Sequence, residues 1–323
     1  HHAVNILNAC SWRINRAILD VQEQIWADGG DLAGIPRRED LPFPPEADLS
    51  SGPGRLAYHR CERANQELAG ERRSYEMRLD VARRVVDRPR IYMVHTGDWR
   101  GRLYPLPMYL THHMDHTARA LLQMAEPRPL GDRGWYWLRV NMAGAWGHDR
   151  VSYDDQGSWV DAITPTLIDM ARDPMRHREW MDTDAPFESL AYAMEIDAAL
   201  KGNPHDYAGH MPTRIDGTCS GVQHYTGMTL DPNDAAAVNM TPRDHPGDVY
   251  GQVASEVSDL VDADAEHGVA EALILRGKIT RGIVKRYCMT QVYGVTKHGG
   301  RVMISQELDG VIPESDVWDC SIY

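Results

Sequence analysis

The sequence predicts a mixed α+β fold that is mostly helical, and three observations lead to this prediction. Of the 323 residues, 42% are apolar and 25% are charged, which is the balance of an ordinary globular protein. Over several long stretches the apolar residues recur every three or four positions, as they do on one face of a helix. Residues 91–110 instead have the short, aromatic pattern, punctuated by Gly and Pro, that favours strands and turns.

The first 90 residues predict two helices joined by an irregular connection. Val4 to Trp26 has helical apolar spacing and is followed by Gly29-Gly30, so it predicts one amphipathic helix. Residues 31–54 contain five prolines and little periodicity, which is typical of a surface loop. A polar, Arg-rich helix is predicted from about Leu56 to Val86, and Pro89 ends it.

Helices dominate the chain again after residue 110. Pro212 to Ile215 is predicted as a strand that leads into a helix beginning at Ser220, because Ser220 and Gln223 have the spacing of a capping box. The other predicted helices are Ala118–Met124, Gly134–Ala145, an acidic region ending near Ala199, Val249–Val261 and Ala270–Tyr293.

The net charge of -13 argues against nucleic acid as a partner, because Lys and Arg drive phosphate binding. The distribution of charge changes that conclusion. Residues 276–301 contain seven basic and no acidic residues, whereas residues 154–201 contain eleven acids against four bases and residues 231–271 contain ten against one. Such segregation can create a locally positive channel, although a solvated charged face explains it equally well.

Cysteine usage and hydropathy limit the class of protein. The five cysteines are scattered without a C-x-x-C pair, so neither a disulfide framework nor a zinc ribbon is predicted. No run approaches the ~20 apolar residues that span a bilayer, and the start does not read as a signal peptide. We expect a soluble intracellular protein in a reducing compartment, with no membrane partner. The chain starts inside a predicted helix without Met and stops at Tyr323, and we expect both ends to be cuts in a longer chain.

The most informative stretch is the basic helix that contains Arg281 and Lys285. On a helix these residues lie one turn apart, about 6 Å along the axis, and share a face. That spacing suits adjacent phosphates of a nucleotide, and Tyr293 would lie roughly 12 Å further along, where the sugar and base would fall. A basic surface helix with a core tyrosine would have the same spacing, so both interpretations stay open.

Asp216-Gly217 follows the predicted strand. A carboxylate there can hold Mg²⁺, and Gly217 lets its carbonyl turn toward the same ion, since Mg²⁺ prefers oxygen ligands. In two-metal sites, ions about 4 Å apart activate an attacking hydroxyl and neutralise the leaving group. An isolated Asp-Gly pair is more often a turn.

Two motifs resemble one enzyme family. From Arg281 to Gly294 the pattern R-x3-K-x7-Y-G resembles motif B, the nucleotide-binding helix shared by single-subunit RNA polymerases and family A DNA polymerases. From Asp216 to His224, D-G-T-C-S-G-V-Q-H resembles motif A of the single-subunit, bacteriophage- and mitochondrial-type DNA-directed RNA polymerases. It differs from the D-Y-S-Q-I-E of the DNA enzymes. D-W-R-G-R-L-Y from Asp98 to Tyr104 is similar to the signature at which that family's palm begins, and the resemblance spans nearly the whole chain.

The resemblance implies a catalytic role for several matching residues. Asp216, with Gly217, would bind the catalytic Mg²⁺ ions, two in the complete enzyme. Arg281 and Lys285 would hold the triphosphate, and Lys285 would also protonate the departing pyrophosphate. Tyr293, beside Gly294, would sense the 2'-hydroxyl of the incoming nucleotide.

Further residues are implied in nucleotide and nucleic-acid binding. Tyr250, in D-V-Y-G, is similar to a tyrosine near the phosphates of the incoming nucleotide. His224 is either a nucleic-acid contact or a residue packed behind the predicted metal-binding strand. The residues implied to contact nucleic acid are Arg100, Arg102, Tyr104, Arg286 and His224.

The family resemblance implies an incomplete right-hand polymerase. The expected parts are a thumb-like helical region with a Pro-rich connection (1–89), a palm portion with motif A (90–232) and a fingers portion with motif B (233–323). The implied reaction is RNA synthesis from NTPs on a DNA template, with nascent RNA as the further partner. It would occur in the host cytoplasm if the chain is phage-encoded, or in the mitochondrial matrix if it is organellar.

The family's motif C, Y-x-x-H-D, does not occur in these 323 residues. The second catalytic carboxylate would therefore come from a second chain or a C-terminal part, and we expect the isolated chain to be inactive. One alternative is a non-catalytic nucleic-acid-binding remnant or half of a split polymerase, and a weaker one is a relative of the family A DNA polymerases. A separate alternative is zinc binding by His112 and His116 with Asp115 nearby, if that segment is helical, although no H-E-x-x-H pattern is present.

Overall fold

A computed structural model describes residues 2–45, 49–99 and 101–323. Short strands are interspersed among helices, so the prediction of a mixed, mostly helical fold is confirmed. The chain forms two compact units, residues 1–214 and 215–323. The division into thumb-like, palm and fingers portions stays a prediction.

The prediction of one helix over Val4–Trp26 is wrong. Helix α1 (His2–Ala9), strand β1 (Ser11–Ile14) and helix α2 (Arg16–Ala27) occupy this stretch. Asn15 starts α2, because its side chain accepts a hydrogen bond from the backbone N–H of Ile18. β1 pairs antiparallel with β2 (Ile91–Tyr92) on one side and β5 (Leu122–Met124) on the other. The apolar spacing is compatible with a helix, and it contains no information on these distant strand partners.

The connection and the second predicted helix are confirmed with a small shift. Residues 31–45 have no regular helix or strand. Helix α3 spans Gly52–Val85 and therefore begins four residues before the predicted start. Ser51 caps it by accepting a hydrogen bond from the backbone N–H of Gly54 at 3.0 Å.

Residues 91–110 form strands and turns, as predicted. β3 (His95–Gly97) and β4 (Leu103–Pro105) make an antiparallel hairpin in which Thr96 lies opposite Tyr104. A further pair joins β6 (Arg128–Pro129) to β7 (Ala208–Gly209). The predicted helix over Ala118–Met124 is only half right. Helix α4 (His116–Ala120) is followed by β5, whose residues pair with β1 instead of continuing the helix.

The core of the first unit is built around three helices, which confirm the predicted helical region. They are α5 (Gly131–Trp146), α6 (Tyr153–Arg172) and α7 (Pro186–Ala199), with a 3-10 turn at Glu179–Asp182. Nearly every residue of α7 is buried, which identifies it as the central helix of this unit.

The predicted strand over Pro212–Ile215 is wrong. The segment has no regular secondary structure and pairs with no strand among the described residues. Side chains hold its backbone instead: the Tyr192 hydroxyl donates to the Pro212 carbonyl at 3.0 Å, and the Arg214 N–H donates to Asn141 Oδ1 at 2.7 Å. Polar side chains therefore satisfy the backbone groups that a neighbouring strand would otherwise satisfy.

The second unit is a helical unit with its own small apolar core. The predicted helix over Ala270–Tyr293 is broken into two, because Gly277 adopts a left-handed conformation with φ of +70°. The helices of this unit are α8 (Ser220–Thr229), α9 (Pro232–Ala237), α10 (Val249–Glu266), α11 (Ala270–Leu275), α12 (Arg281–Gln291), α13 (Lys297–Leu308) and α14 (Glu314–Cys320).

Across the described ranges, none of the helices combines the length and the low polarity that a membrane-spanning helix needs.

Candidate functional site

Asp216 lies in an exposed loop that leads into α8. Its carboxylate accepts a hydrogen bond from the Gly217 N–H at 2.8 Å, which holds it close to its own backbone. Within the described part of the chain, no group of three His, Cys, Asp or Glu side chains could hold a metal ion. The local donor set for a divalent cation is therefore one carboxylate and the carbonyls of the loop.

The start of α8 differs from the predicted capping box. Cys219, with φ of +50°, precedes the helix, and Ser220 is its first helical residue. Gln223 donates to the Val238 carbonyl at 2.8 Å and does not close the helix end. Since Ser220 has no capping role, its hydroxyl is free to contact Tyr293, 3.2 Å away between the two oxygen atoms.

Arg281 and Lys285 lie one turn apart on α12, as predicted. Lys285 is exposed, and no described residue makes an ion pair or a hydrogen bond with its ammonium group. An unpaired ammonium group on a helix surface can bind an anion without first losing an internal partner.

The sequence suggested that Tyr293 lies on the same helix as Arg281, but α12 ends at Gln291. Tyr293 lies in a turn that closes at Gly294, whose φ of +78° favours glycine. The backbone approaches α8 closely here: a Cβ on Gly221 would lie 2.1 Å from Val292 Cγ2 and 3.3 Å from Tyr293 Cζ. Glycine at 221 is therefore needed for the contact between Ser220 and Tyr293.

Arg281 is held by two residues at the start of α10. Its Nε donates to both carboxylate oxygens of Asp248, at 3.0 and 2.9 Å. Its guanidinium carbon lies 5.2 Å from the centre of the Tyr250 ring. Tyr250 is only 4% exposed. Burial, and then the neighbouring Cys219 thiol, raises the pKa of the Tyr250 phenol.

Asn239 connects the Asp216 loop to the start of α10. Its side-chain amide donates to Thr218 Oγ1 at 2.9 Å and to the Gly247 carbonyl at 3.0 Å, while its oxygen accepts from the Gly247 N–H at 2.6 Å. Gly247 directly precedes Asp248. The loop that follows Asp216 is therefore tied to Arg281 through Asn239 and Asp248.

Sequence reasoning missed Asn239, Asp248 and the positive φ of Cys219. Asp248 was visible as the first residue of D-V-Y-G, next to the predicted Tyr250. Its pairing with Arg281, 33 residues later, had no signal in either segment.

The remaining residues implied in nucleic-acid contact lie in different places. Arg100 lies outside the described residues. Arg102 and Tyr104 lie on the β3–β4 hairpin, where the Arg102 N–H donates to Asp98 Oδ1 at 3.0 Å. Arg286, on α12, donates to Gln306 Oε1 at 2.5 Å. His224 is exposed on α8, so the alternative of a packed histidine is wrong.

The zinc alternative is also wrong. His112 precedes α4, stacks on Trp12 at 5.2 Å between ring centres, and has its Nε2 3.0 Å from His95 Nε2. His116 stacks on Phe187 instead. Asp115 caps α4 by accepting from the N–H groups of the first turn. The two histidines therefore face different neighbours and do not form a shared site.

Comparisons with known proteins agree with the motifs. The sequence profile of the family described as DNA-dependent RNA polymerase matches residues 128–323. The chain is 35% identical over 322 residues to DNA-directed RNA polymerase 3, chloroplastic, of Nicotiana sylvestris, with 96% of this chain and 33% of the relative covered. It is 36% identical to DNA-directed RNA polymerase, mitochondrial, of Mus musculus and of Homo sapiens, with 99% of this chain covered and 28% and 27% of those relatives. The chain thus spans about a third or less of the length of these relatives.

Proposed function

The chain belongs to the DNA-dependent RNA polymerase family, and we propose that it is the part of such an enzyme that binds the incoming NTP during RNA synthesis on a DNA template. The observation that carries this proposal is the linked set of contacts in the second unit. Ser220–Tyr293 and Asn239–Gly247 join the loop after Asp216 to the residues that surround the cationic face of α12.

Arg281 and Lys285 would bind the triphosphate. Their one-turn separation matches neighbouring phosphate groups, and both carry donors suited to phosphate oxygens. Lys285 would also protonate the pyrophosphate as it leaves, since an exposed ammonium without an internal partner can give up its proton to the leaving group.

Asp216 and the Gly217 carbonyl fit one side of a Mg²⁺ site, because both offer oxygen ligands in an exposed loop. When bound, Mg²⁺ would neutralise charge on the triphosphate and activate the attacking hydroxyl. One carboxylate does not suffice for two ions. We therefore propose that a second carboxylate comes from another part of the complete enzyme or from a second chain.

Tyr293 and Gly294 would lie beside the sugar of the nucleotide. The hydrogen bond between the Ser220 and Tyr293 hydroxyls supports this role, because it orients a side chain that is otherwise 63% exposed. The matches are to RNA polymerases, which favours NTPs over dNTPs and argues against the DNA polymerase alternative.

The wider architecture is proposed from the family alone. Residues 1–89 would contribute to a thumb, residues 90–232 to the palm and residues 233–323 to the fingers. Nucleic-acid contacts are proposed for Arg100, Arg102, Tyr104, Arg286 and His224, with template DNA and nascent RNA as partners. An organellar location is proposed from the names of the chloroplastic and mitochondrial relatives.

Binding of a fluorescent ATP analogue in MgCl₂, followed by anisotropy, tests the nucleotide site. Lys285→Ala should weaken binding about tenfold or more, because a hydrogen bond to a charged group contributes roughly 1.5–3 kcal/mol. Lys297→Ala is the matched control, since Lys297 is also an exposed lysine, on the next helix. Equal effects of the two substitutions would show only a general response to positive charge and would contradict the site.

A primer-extension assay tests whether this chain is sufficient. With DNA template, RNA primer and NTPs, we expect no elongation by the chain alone. Template-dependent RNA synthesis that Asp216→Ala abolishes would show that the chain supplies both carboxylates. The alternative function, nucleic-acid binding without catalysis, is favoured by the single carboxylate, and it would show salt-dependent DNA binding without any binding of ATP.

A further inference from the structure

We propose that Asp248 is a positioning residue, which engages one edge of the Arg281 guanidinium so that the opposite edge is presented to the triphosphate. This inference rests on the proposed function of Arg281. It concerns a residue that does not touch the nucleotide and acts only through Arg281.

Only one of the three guanidinium nitrogens of Arg281 is hydrogen-bonded to a described residue. Nε of Arg281 donates to both oxygens of Asp248, whereas Nη1 and Nη2 donate to no described residue. A guanidinium has five N–H donors in one plane, so four remain on the terminal nitrogens. Those donors form the fork that binds a phosphate in bidentate geometry. Asp248 therefore uses the one donor that this fork does not need.

An aromatic ring, that of Tyr250, faces the guanidinium of Arg281. Tyr250 lies 5.2 Å from the guanidinium carbon and is buried, so its ring is held by packing. A fixed ring limits rotation of the guanidinium out of its plane and adds a cation–π attraction. Asp248 and Tyr250 together restrict Arg281 in two directions.

Gly251 leaves the space that the Asp248 carboxylate occupies. A Cβ on Gly251 would lie 2.8 Å from Asp248 Oδ2 and 3.2 Å from its Cγ. Any larger residue at 251 would push the carboxylate away from its present position. The four residues from Asp248 to Gly251 thus supply the acceptor, the ring and the space that the acceptor needs.

If Asp248 had a different role, its removal would change the affinity for the triphosphate in the opposite direction. If the carboxylate acted as a competing anion, its removal would free Arg281 and tighten triphosphate binding. If it positions Arg281, its removal lets the side chain sample other rotamers, and binding weakens because the lost order must be restored on binding. The sign of the effect therefore decides between the two roles.

The test measures ATP and AMP binding by the full chain and its variants. Asp248→Ala should weaken ATP binding about fivefold to tenfold. Asp248→Asn should cost less than about threefold, because its amide oxygen still accepts from Nε. AMP binding should change little. When Arg281 is already replaced by Ala, Asp248→Ala should not weaken ATP binding further. If Asp248 had only a structural role, the second substitution would still weaken binding.

Asp262→Ala is the matched control, because Asp262 also lies on α10 and pairs with Nε of an arginine, Arg276, at 3.2 Å. It should leave ATP binding unchanged. Tighter ATP binding by Asp248→Ala, or an equal loss with and without Arg281, would overturn the proposal.

An NMR measurement separates this inference from the proposed function. The Arg281 Nε–H resonance, assigned with Arg281→Lys, should exchange slowly with water in the unsubstituted chain and rapidly in Asp248→Ala. If the chain binds no ATP at all, the proposed function fails. The exchange rate then decides the inference: identical rates in both proteins would refute the holding of Arg281 by Asp248.

Discussion

The hydroxyl groups of Ser220 and Tyr293 lie 3.2 Å apart, although 73 residues separate them in the chain. This contact joins the first turn of α8 to the turn that follows α12. It anchors a tyrosine that is largely exposed, so the phenol has a defined position without being buried. Substitutions of neighbouring residues test what this contact and the fold around it require.

Substitution of Gly221 by Ala should destabilise the second unit by about 1–3 kcal/mol, because the new methyl group would overlap Val292. Thermal or urea unfolding measures the effect. Gly227→Ala is the control on the same helix, since its Cβ would meet only Met240 Cε at an ordinary 3.8 Å. It should be neutral or slightly stabilising. If both variants unfolded alike, the close approach of α8 and Val292 would not exist in solution.

Asn239 combines a left-handed backbone, with φ of +60°, and three side-chain hydrogen bonds. Asn239→Gly should lower the free energy of unfolding by about 1–3 kcal/mol through the lost bonds. Asn239→Ala should cost roughly 1 kcal/mol more, because alanine also strains the left-handed conformation. Denaturant titration of the two variants separates these contributions. Equal stability of the Ala and Gly variants would mean that the backbone leaves this conformation when the side chain is removed.

Glu188, whose side chain is 4% exposed, lies between Arg119 and Arg214. Nε of Arg119 donates to its carboxylate at 2.9 Å, and Arg214 makes an ion pair without an aligned hydrogen bond. Glu188→Gln should destabilise the first unit by about 2–3 kcal/mol, because two neighbouring cations lose their shared counter-charge. Calorimetry checks this value, with the exposed Glu179→Gln as control. A loss below about 0.5 kcal/mol would show that solvent already screens both arginines.

His112 should make stability depend on pH. Burial, and then the nearby charges of His113, His95 and Arg214, lowers the pKa of its ring from 6.5 to about 4. The unfolded chain binds this proton more readily, so the folded state should lose roughly 1–3 kcal/mol as the pH falls from about 6.5 to 4. Unfolding measured across this range should show a shallower slope for His112→Gln. His59→Gln, at an exposed helical histidine, should keep the original slope. An unchanged slope in His112→Gln would contradict the lowered pKa.

The sequence predicted features whose determinants lie close together in the chain. The helical spacing of Arg281 and Lys285 is confirmed, and so is the long polar helix that Ser51 caps. The strand-and-turn character of residues 91–110 was visible in the same way. In each case neighbouring residues determine the local conformation, so a pattern read along the chain contains the needed information.

The errors arose where distant residues decide the conformation. Residues 11–14 and 122–124 have spacings compatible with helix, yet they are strands because they pair with each other. Residues 212–215 look like a strand, but the side chains of Asn141 and Tyr192 take the place of a neighbouring strand. Intrinsic preference is weak, and tertiary partners override it.

By itself, the sequence determined the family motifs, the order of the cationic residues on α12 and the mostly helical class. Only the tertiary structure decided that Asp248 takes the Nε edge of Arg281 and that Ser220 contacts Tyr293 instead of capping its helix. The physical reason is range. Helical periodicity follows from contacts within one turn, whereas the partner of a charge or a hydroxyl depends on which segments fold against each other.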